Sequence, residues 1–390
     1  VRAASTLRER GFTGRVVLAG AEDGAPYQRP PLSKEQLADP AAASPLRAGT
    51  FWARRGIELL TGDPVVDLGT GPNQARLRSG RAVPWDRAVL ATGARARPLS
   101  VPGGERALVL RTTADAARLR ARLTGGGRSV VVVGGGLLGL EVAAVARTLG
   151  HHVTVVEVAD RLLGRVASAP TADRVAALHR GHGVVVRLRR TVAAVHDDGT
   201  RSVVELDDGC RVPADVVVAA VGTVPETGLA AAAGIATGST GVLVDEHLRT
   251  SDTRVSAVGD CAAVLVPATG ARVRTESVQT AEDQGRYTAL DVLGAAGGPY
   301  AEVPWGWSRQ YGTVLQTAGT AAGHDRTVLV GDPGAGPCSV LCFAGDRLCG
   351  VESVDAPGDH VAARRLLVAG GGPTPDEAAR PGFMLARRAA

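Results

Sequence analysis

The chain has 390 residues, 45% of them hydrophobic, with a formal net charge of +5 and five cysteines, which is enough for two or three domains with cores of their own. No apolar run approaches the roughly 18 residues of a membrane span, and Val1 to Arg10 is charged and helix-prone rather than a signal segment, so a soluble, cytoplasmic protein is expected. An odd cysteine count in a long chain argues against a disulfide framework, and basic residues scattered along the sequence argue against a nucleic-acid stripe.

In chain order, a helix is expected over Ala3–Arg10, then strands at Arg15–Ala19 and Arg87–Ala91 and a helix at Ala114–Leu123. The glycine-rich join Thr124–Arg128 leads into a strand at Ser129–Val133, a helix at Leu138–Leu149 and a strand at His152–Glu157, so a domain begins near residue 114. Further strands are expected at Val184–Leu188, Val203–Leu206, Val216–Ala220 and Val255–Val258, with a helix at Thr280–Leu293. This alternation is an α/β pattern with parallel sheets. Pro304–Trp307 marks a change of character. Beyond it lie short strands with turns at Gly331–Gly336 and Ala344–Asp346, then one helical stretch, Asp359–Leu367, which together read as a small α+β domain.

Two compositional details bear on chemistry. Cys338, Cys342 and Cys349 lack metal-type spacing and CSVLCF reads as a strand, so they are assigned to the core with no metal; without a CxxC or CxxxxC pair there is no flavin-to-disulfide relay. Of the 44 basic residues only Lys34 is a lysine, which raises the question of what a compact ammonium does there that a guanidinium cannot.

The strongest motif is Gly134-Gly135-Gly136-Leu137-Leu138-Gly139, set between a β-branched strand and a helix. Gly134 permits the tight turn, Gly136 lets the backbone approach a pyrophosphate, and Gly139 lets helix and strand pack closely. The helix N-terminus would face the phosphates. The next strand ends in Glu157, the acidic residue placed for a ribose diol. A 2'-phosphate about 4 Å from that carboxylate would cost on the order of 4 kcal/mol per unit charge at an effective dielectric near 20. NADH is therefore expected over NADPH, with Arg161 and Arg165 as the nearby groups that a phosphate would use instead.

RAVLATG (Arg87–Gly93), VVAAVGTVP (Val217–Pro225) and VSAVGDC (Val255–Cys261) follow the order of the two-dinucleotide flavoprotein reductases. With PYQRPPLSK (Pro26–Lys34), RTESVQTAEDQ (Arg274–Gln284) and PWGWSRQY (Pro304–Tyr311), the whole chain resembles the FAD-dependent NADH:ferredoxin reductases of oxygenase systems, the putidaredoxin reductase and Rieske dioxygenase reductase group. The resemblance implies two Rossmann-like FAD/NAD(P)-binding domains of glutathione-reductase-like architecture and a small α+β C-terminal reductase domain. It divides the chain into 1–113 with 239–303 for FAD, 114–238 for NAD and 304–390 for the last domain.

The same resemblance implies FAD contacts at Arg29, Lys34, Val65, Ala91, Thr92, Gly93, Arg111, Asp260, Val278 and Trp307, with Asp260 on the ribityl chain. It implies NAD contacts at Gly136, Leu137, Leu138, Glu141, Glu157, Arg165 and Gly222. Lys34, paired with Glu141, would stand at the flavin ring edge and Trp307 would cover the ring. The partner would be a ferredoxin or similar small iron-sulfur protein serving a cytochrome P450 or Rieske dioxygenase, with no nucleic acid and no membrane.

Departures from the family pattern are informative. Ala21 stands where an acid usually holds the adenosine ribose, with Glu22 and Asp23 beside it; Gly306 and Arg309 replace a usual Phe and Asp next to Trp307. The family's first strand and flavin GxGxxG have no counterpart upstream of Gly11, so the sequence is expected to be an N-terminally truncated reading of a longer chain. The alternatives are a flavin-deficient NAD-binding or interaction protein of the same fold, or the flavin module of a nitrite or rubredoxin reductase system.

Overall fold

The computed structural model describes residues 1–39, 42, 45–266, 270–332, 334 and 336–388. They form two units, the first made of Val1–Gln28, Ser44–Arg95 and Val224–Glu302, the second of Arg29–Ala43, Ala96–Thr223 and Val303–Ala390.

In the first unit, helix Arg2–Glu9 packs on helix Val278–Val292. Gly285 permits the approach, since a Cβ there would come within 3.3 Å of Ala3 N and Arg2 Cβ. Strands Val16–Ala19 and Ile57–Leu60 pair in parallel, as do Ala88–Leu90 and Val255–Ala257. An antiparallel meander, Val65–Gly69, Gln74–Leu77 and Ala82–Pro84, lies in the same unit. A mixed four-stranded sheet runs Thr237–Gly238, Gly241–Val244, Ala262–Val266, Ala271–Val273. The core gathers Leu68, Leu90, Val242, Val244, Leu248, Val255 and Ala257.

The second unit is built on a parallel sheet in the order Val185–Leu188, His152–Glu157, Ser129–Val133, Val216–Ala219. Its two central strands and Val216–Ala219 are valine-rich because a parallel sheet is covered on both faces, and Val130 to Val133 and Val216 to Val218 are all buried. Helix Leu137–Thr148 packs on this sheet. An antiparallel three-stranded sheet, Val192–Asp197, Ser202–Leu206, Arg211–Ala214, encloses Val195, Val204 and Leu206. The C-terminal part is a five-stranded antiparallel sheet, ordered Trp305–Gln310, Thr313–Gly319, Arg347–Val354, Cys338–Ala344, Arg326–Gly331, with helix Pro357–Val368 packed on it.

The expected helices and strands of the two nucleotide-fold regions lie within one or two residues of their observed ends. The expected parallel sheets are present, and two antiparallel meanders, a mixed sheet and the C-terminal sheet accompany them. The C-terminal strands run six to eight residues instead of being short. Of the expected turn Gly331–Gly336, Gly331 ends strand Arg326–Gly331, and Asp332, Gly334 and Gly336 lie between it and Cys338–Ala344; 333 and 335 are outside the described residues. Helix Ala169–Gly181 was not expected, because Pro170 at its start masks a helical run. Proline is tolerated in a first turn, where its missing N–H has no partner to lose.

Candidate functional site

Two arrangements in the second unit carry chemistry. At the first, Gly134 has φ +109°, and a Cβ there would stand 2.3 Å from Ala220 O. A Cβ at Gly139 would stand 2.1 Å from Gly134 O, so turn and helix touch backbone to backbone. Gly136 differs: its φ is −78°, which any residue adopts, and nothing lies within 4 Å of where its Cβ would be. The space beside Gly136 is open while its neighbours are tightly packed, and this fits a pyrophosphate drawn up to the backbone. Gly136 is the N-cap of helix Leu137–Thr148 and offers no side-chain cap. The first amides, at Leu137 and Leu138, are then available to an anion.

Glu157 closes this turn. Its Oε2 accepts from Gly135 N at 2.6 Å and its Oε1 from Ala159 N at 2.8 Å, which fixes the carboxylate at the end of its strand. Gly222 has φ +97°, and Arg165 Nη2 lies 3.7 Å from where a Cβ on it would be. These two candidate contacts are therefore neighbours in the structure.

The second arrangement joins three remote segments. Pro30 and Pro31 fix φ for the short 3₁₀ turn Pro30–Ser33, capped by Arg29, and deliver Ser33 and Lys34 into the interior. Glu141 comes from helix Leu137–Thr148, and Trp307 and Ser308 from strand Trp305–Gln310. Lys34 Nζ donates to Glu141 Oε2 at 2.7 Å and to Pro30 O at 3.1 Å, and lies 5.0 Å from the centre of the Trp307 ring. Glu141 Oε2 also accepts from Ser33 Oγ at 2.5 Å, and its Oε1 from Ser308 Oγ at 2.6 Å.

Lys34 is 8% exposed and Glu141 5%, so this is an ion pair largely out of water whose lone pairs are met by further donors, as a buried charge requires. The Lys34–Glu141 neighbourhood that the resemblance implies is present. Arg29 and Arg111 also meet, the Arg29 Nη1 donating to Arg111 O at 2.7 Å. Arg309, the departure beside Trp307, is exposed and pairs with Glu35 at 3.5 Å.

In the first unit, strands Ala88–Leu90 and Val255–Ala257 run side by side in parallel. Ala91 and Thr92, just past the first strand's carboxyl end, are exposed, and Gly93 follows with φ +71°. Thr92 Oγ1 donates to Glu226 O at 2.6 Å. Past the second strand lie Gly259, with φ +72°, and half-buried Asp260. Small, exposed residues and an acid at the carboxyl ends of adjacent parallel strands form the surface where α/β folds take ligands, and they fit a flavin nucleotide. Val278, partly exposed, opens helix Val278–Val292, while Val65 sits on the meander, half-buried. Tyr27 donates to Glu22 at 2.6 Å.

Sequence reasoning passed over Ser33, Ser308, Gln310 and His179, all buried. His179 Nε2 lies 2.7 Å from Gln310 Oε1, and Gln310 Nε2 donates to Ser308 Oγ at 3.0 Å. The signal available was strand alternation: in WSRQ, Ser308 and Gln310 share one face while Trp307 and Arg309 share the other.

Nucleotide folds of this kind, with a glycine turn and a buried lysine–carboxylate pair, define a pyridine-nucleotide oxidoreductase. The pyridine nucleotide-disulphide oxidoreductase family model matches residues 1–285, and the reductase C-terminal model residues 305–389. Rhodocoxin reductase of Rhodococcus erythropolis is 43% identical over 98% of this chain and 90% of its own length. The crystal structure of the ferredoxin reductase for the CYP199A2 system from Rhodopseudomonas palustris matches with a TM-score of 0.95 at 38% identity, covering 100% of this chain and 96% of that one. That of the covalent putidaredoxin reductase–putidaredoxin complex matches with a TM-score of 0.93 at 35% identity, covering 100% and 95%. The chain belongs to the pyridine nucleotide-disulphide oxidoreductase family, in its ferredoxin reductase group. Its α/β fold comprises FAD- and NAD(P)-binding domains and the group's small C-terminal domain.

Proposed function

We propose that this protein passes electrons from NADH through FAD to a ferredoxin-type iron-sulfur protein that serves an oxygenase such as a cytochrome P450 or a Rieske dioxygenase. The observation that carries the reading is the buried Lys34–Glu141 pair beside Trp307, with Glu141 on the same helix that the glycine turn opens. One helix then carries both a nucleotide-binding N-terminus and a carboxylate anchored to the one lysine of the chain.

FAD, when bound, accepts two electrons as hydride and releases them singly, which is why no catalytic His or Ser is required. Gly136, Leu137 and Leu138 bind the NADH pyrophosphate on a turn shaped by Gly134 and Gly139, Glu157 takes the ribose diol and disfavours a 2'-phosphate, and Arg165 and Gly222 complete that site. Lys34 supplies a compact positive charge for an electron-rich ring edge, Glu141 holds it in place, and Trp307 shields it from water. Arg29, Arg111, Val65, Ala91, Thr92, Gly93, Asp260 and Val278 are assigned to the flavin. The corresponding division is 1–113 with 239–303 for FAD, 114–238 for NAD and 304–390 for the C-terminal domain.

Two relatives support the partner class: one is named as the reductase of rhodocoxin, and the other is a complex of putidaredoxin reductase with putidaredoxin. No helix among the described residues is long and apolar enough to cross a membrane. A reducing, cytoplasmic setting is part of the same proposal, and the five free cysteines suit it.

The test is direct. Purified protein should carry or take up FAD, bleach its flavin absorbance on addition of NADH, and pass electrons to ferricyanide and to a small [2Fe–2S] ferredoxin. A colourless protein that takes up no added FAD and shows no NADH-dependent reduction sinks the proposal.

A further inference from the structure

A series of hydrogen bonds in the second unit runs in one direction, toward Glu141. The carboxylate paired with Lys34 has only lone pairs to offer, so Ser308, 2.6 Å from Oε1, donates to it. A hydroxyl has one proton. With that proton given to Glu141, Ser308 accepts from Gln310 Nε2 at 3.0 Å, and the amide oxygen of Gln310 must face His179 Nε2 at 2.7 Å. An amide oxygen has no proton to give, so His179 carries its own on Nε2. Its Nδ1 is left as an acceptor, 3.4 Å from the Tyr311 hydroxyl, whose pKa burial raises and which therefore keeps its proton.

The chain of groups is closed to water: Ser308, Gln310 and His179 are 1%, 4% and 0% exposed. Burial also lowers the His179 pKa; the Gln310 contact opposes that shift and His182 adds to it, so the imidazole is held neutral. Charge on Glu141 thus dictates the tautomer of a histidine three links away, and hydrogen bonds aligned in this way reinforce one another.

We propose that Ser308, Gln310 and His179 are positioning residues, a one-way hydrogen-bond chain that locks the Glu141 carboxylate, and with it the Lys34 ammonium, in the orientation used for hydride transfer. The inference rests on the NADH and flavin reading above and adds residues that touch neither cofactor in it. The rival role, a proton wire, is disfavoured by the links themselves. An amide such as Gln310 does not relay protons without changing its own tautomer.

The experiment reads the tautomer and the hydride step separately. In protein labelled with ¹⁵N-histidine, long-range proton–nitrogen correlation should show His179 as the pure Nε2–H form, with its signal among the eight histidines assigned by its loss in His179→Gln. Ser308→Ala frees the Gln310 amide to reverse, so His179 should become a mixture of tautomers. In rapid mixing, the same variant should reduce its flavin about tenfold to a hundredfold more slowly at saturating NADH, with the NADH Kd unchanged. Ser339→Ala, which removes a buried hydroxyl bonded to Ser353 and Asp359, should leave both readouts at wild-type values. An Nδ1–H His179 in the wild type, or a Ser308→Ala variant that reduces at the wild-type rate, overturns the inference. A wild-type protein that takes no hydride from NADH overturns the functional reading instead, while the tautomer, read without either cofactor, still decides whether the chain is polarised as derived.

Discussion

The glycine turn and the lysine–carboxylate cluster sit at opposite ends of one short stretch of helix, yet they are built on different principles. The turn is made of backbone from a contiguous run, Gly134 to Gly139, with Glu157 pinned to Gly135, and its requirements are steric. The cluster is made of side chains from the segment around Lys34, from Glu141 and from strand Trp305–Gln310, and its requirements are electrostatic. A backbone site tolerates almost no added atom where it is packed and one added atom where it is open. A buried ion pair tolerates loss of both partners far better than loss of one.

The largest expected effect tests the second principle. Glu141→Ala leaves the Lys34 ammonium buried with Pro30 O as its main acceptor, at a cost of about 3–5 kcal/mol in stability. The double variant Lys34→Met with Glu141→Leu should recover most of that in denaturant titration. Both should fail to reduce flavin with NADH. A single variant no less stable than the double would mean that the pair is not the buried charge couple described.

The first principle is tested by two alanines three residues apart. Gly139→Ala forces a Cβ to 2.1 Å from a carbonyl oxygen and should cost about 1–3 kcal/mol by overpacking. Gly136→Ala meets no protein atom within 4 Å and should fold with stability within about 0.5 kcal/mol of wild type, while raising the NADH Kd markedly in isothermal titration. Equal stability losses at the two positions would erase the distinction between a packed glycine and one that faces a ligand.

The same contrast explains what was legible in the sequence. The turn could be read because strand, three glycines, helix and terminal acid fall within 30 residues, and each has a steric reason to be where it is. Lys34 stood out only as the single lysine among arginines, and its pairing with Glu141, over 100 positions away, came from family resemblance rather than from any local rule. Ser308 and Gln310 left only the two-residue alternation of their strand, and their links to Glu141 and His179 were missed because partners separated by more than 100 residues leave no periodic trace. In the C-terminal sheet Cys338 to Phe343 was legible as a strand, being a nearly continuous apolar run buried on both faces.

A smaller effect bears on the rim of the turn. Glu157→Gln retains an acceptor for the Gly135 or Ala159 amide but removes the charge, so the preference for NADH over NADPH in kcat/KM should fall about tenfold, less than an unscreened charge contact would give. An unchanged ratio would shift cofactor choice to Arg161 and Arg165, and the turn would then select its nucleotide by cations rather than by its acid.

The smallest expected effect is a pH slope that belongs to the cluster and not to the turn. His179 has its folded-state pKa lowered from 6.5, chiefly by burial. As pH falls through 6.5 the unfolded chain takes up a proton first, so stability that is complete above that pH is progressively lost down to the folded-state value. His179→Gln, which gives up the histidine's contacts at neutral pH, should therefore be less stable than wild type at pH 7 and close part of that gap by pH 5, read as urea midpoints. Gly136→Ala introduces no titrating group and should run parallel to wild type over the same range. A glycine variant whose gap also closed with acidity would show that protonation reaches the turn, and that the two arrangements on this helix are coupled rather than independent.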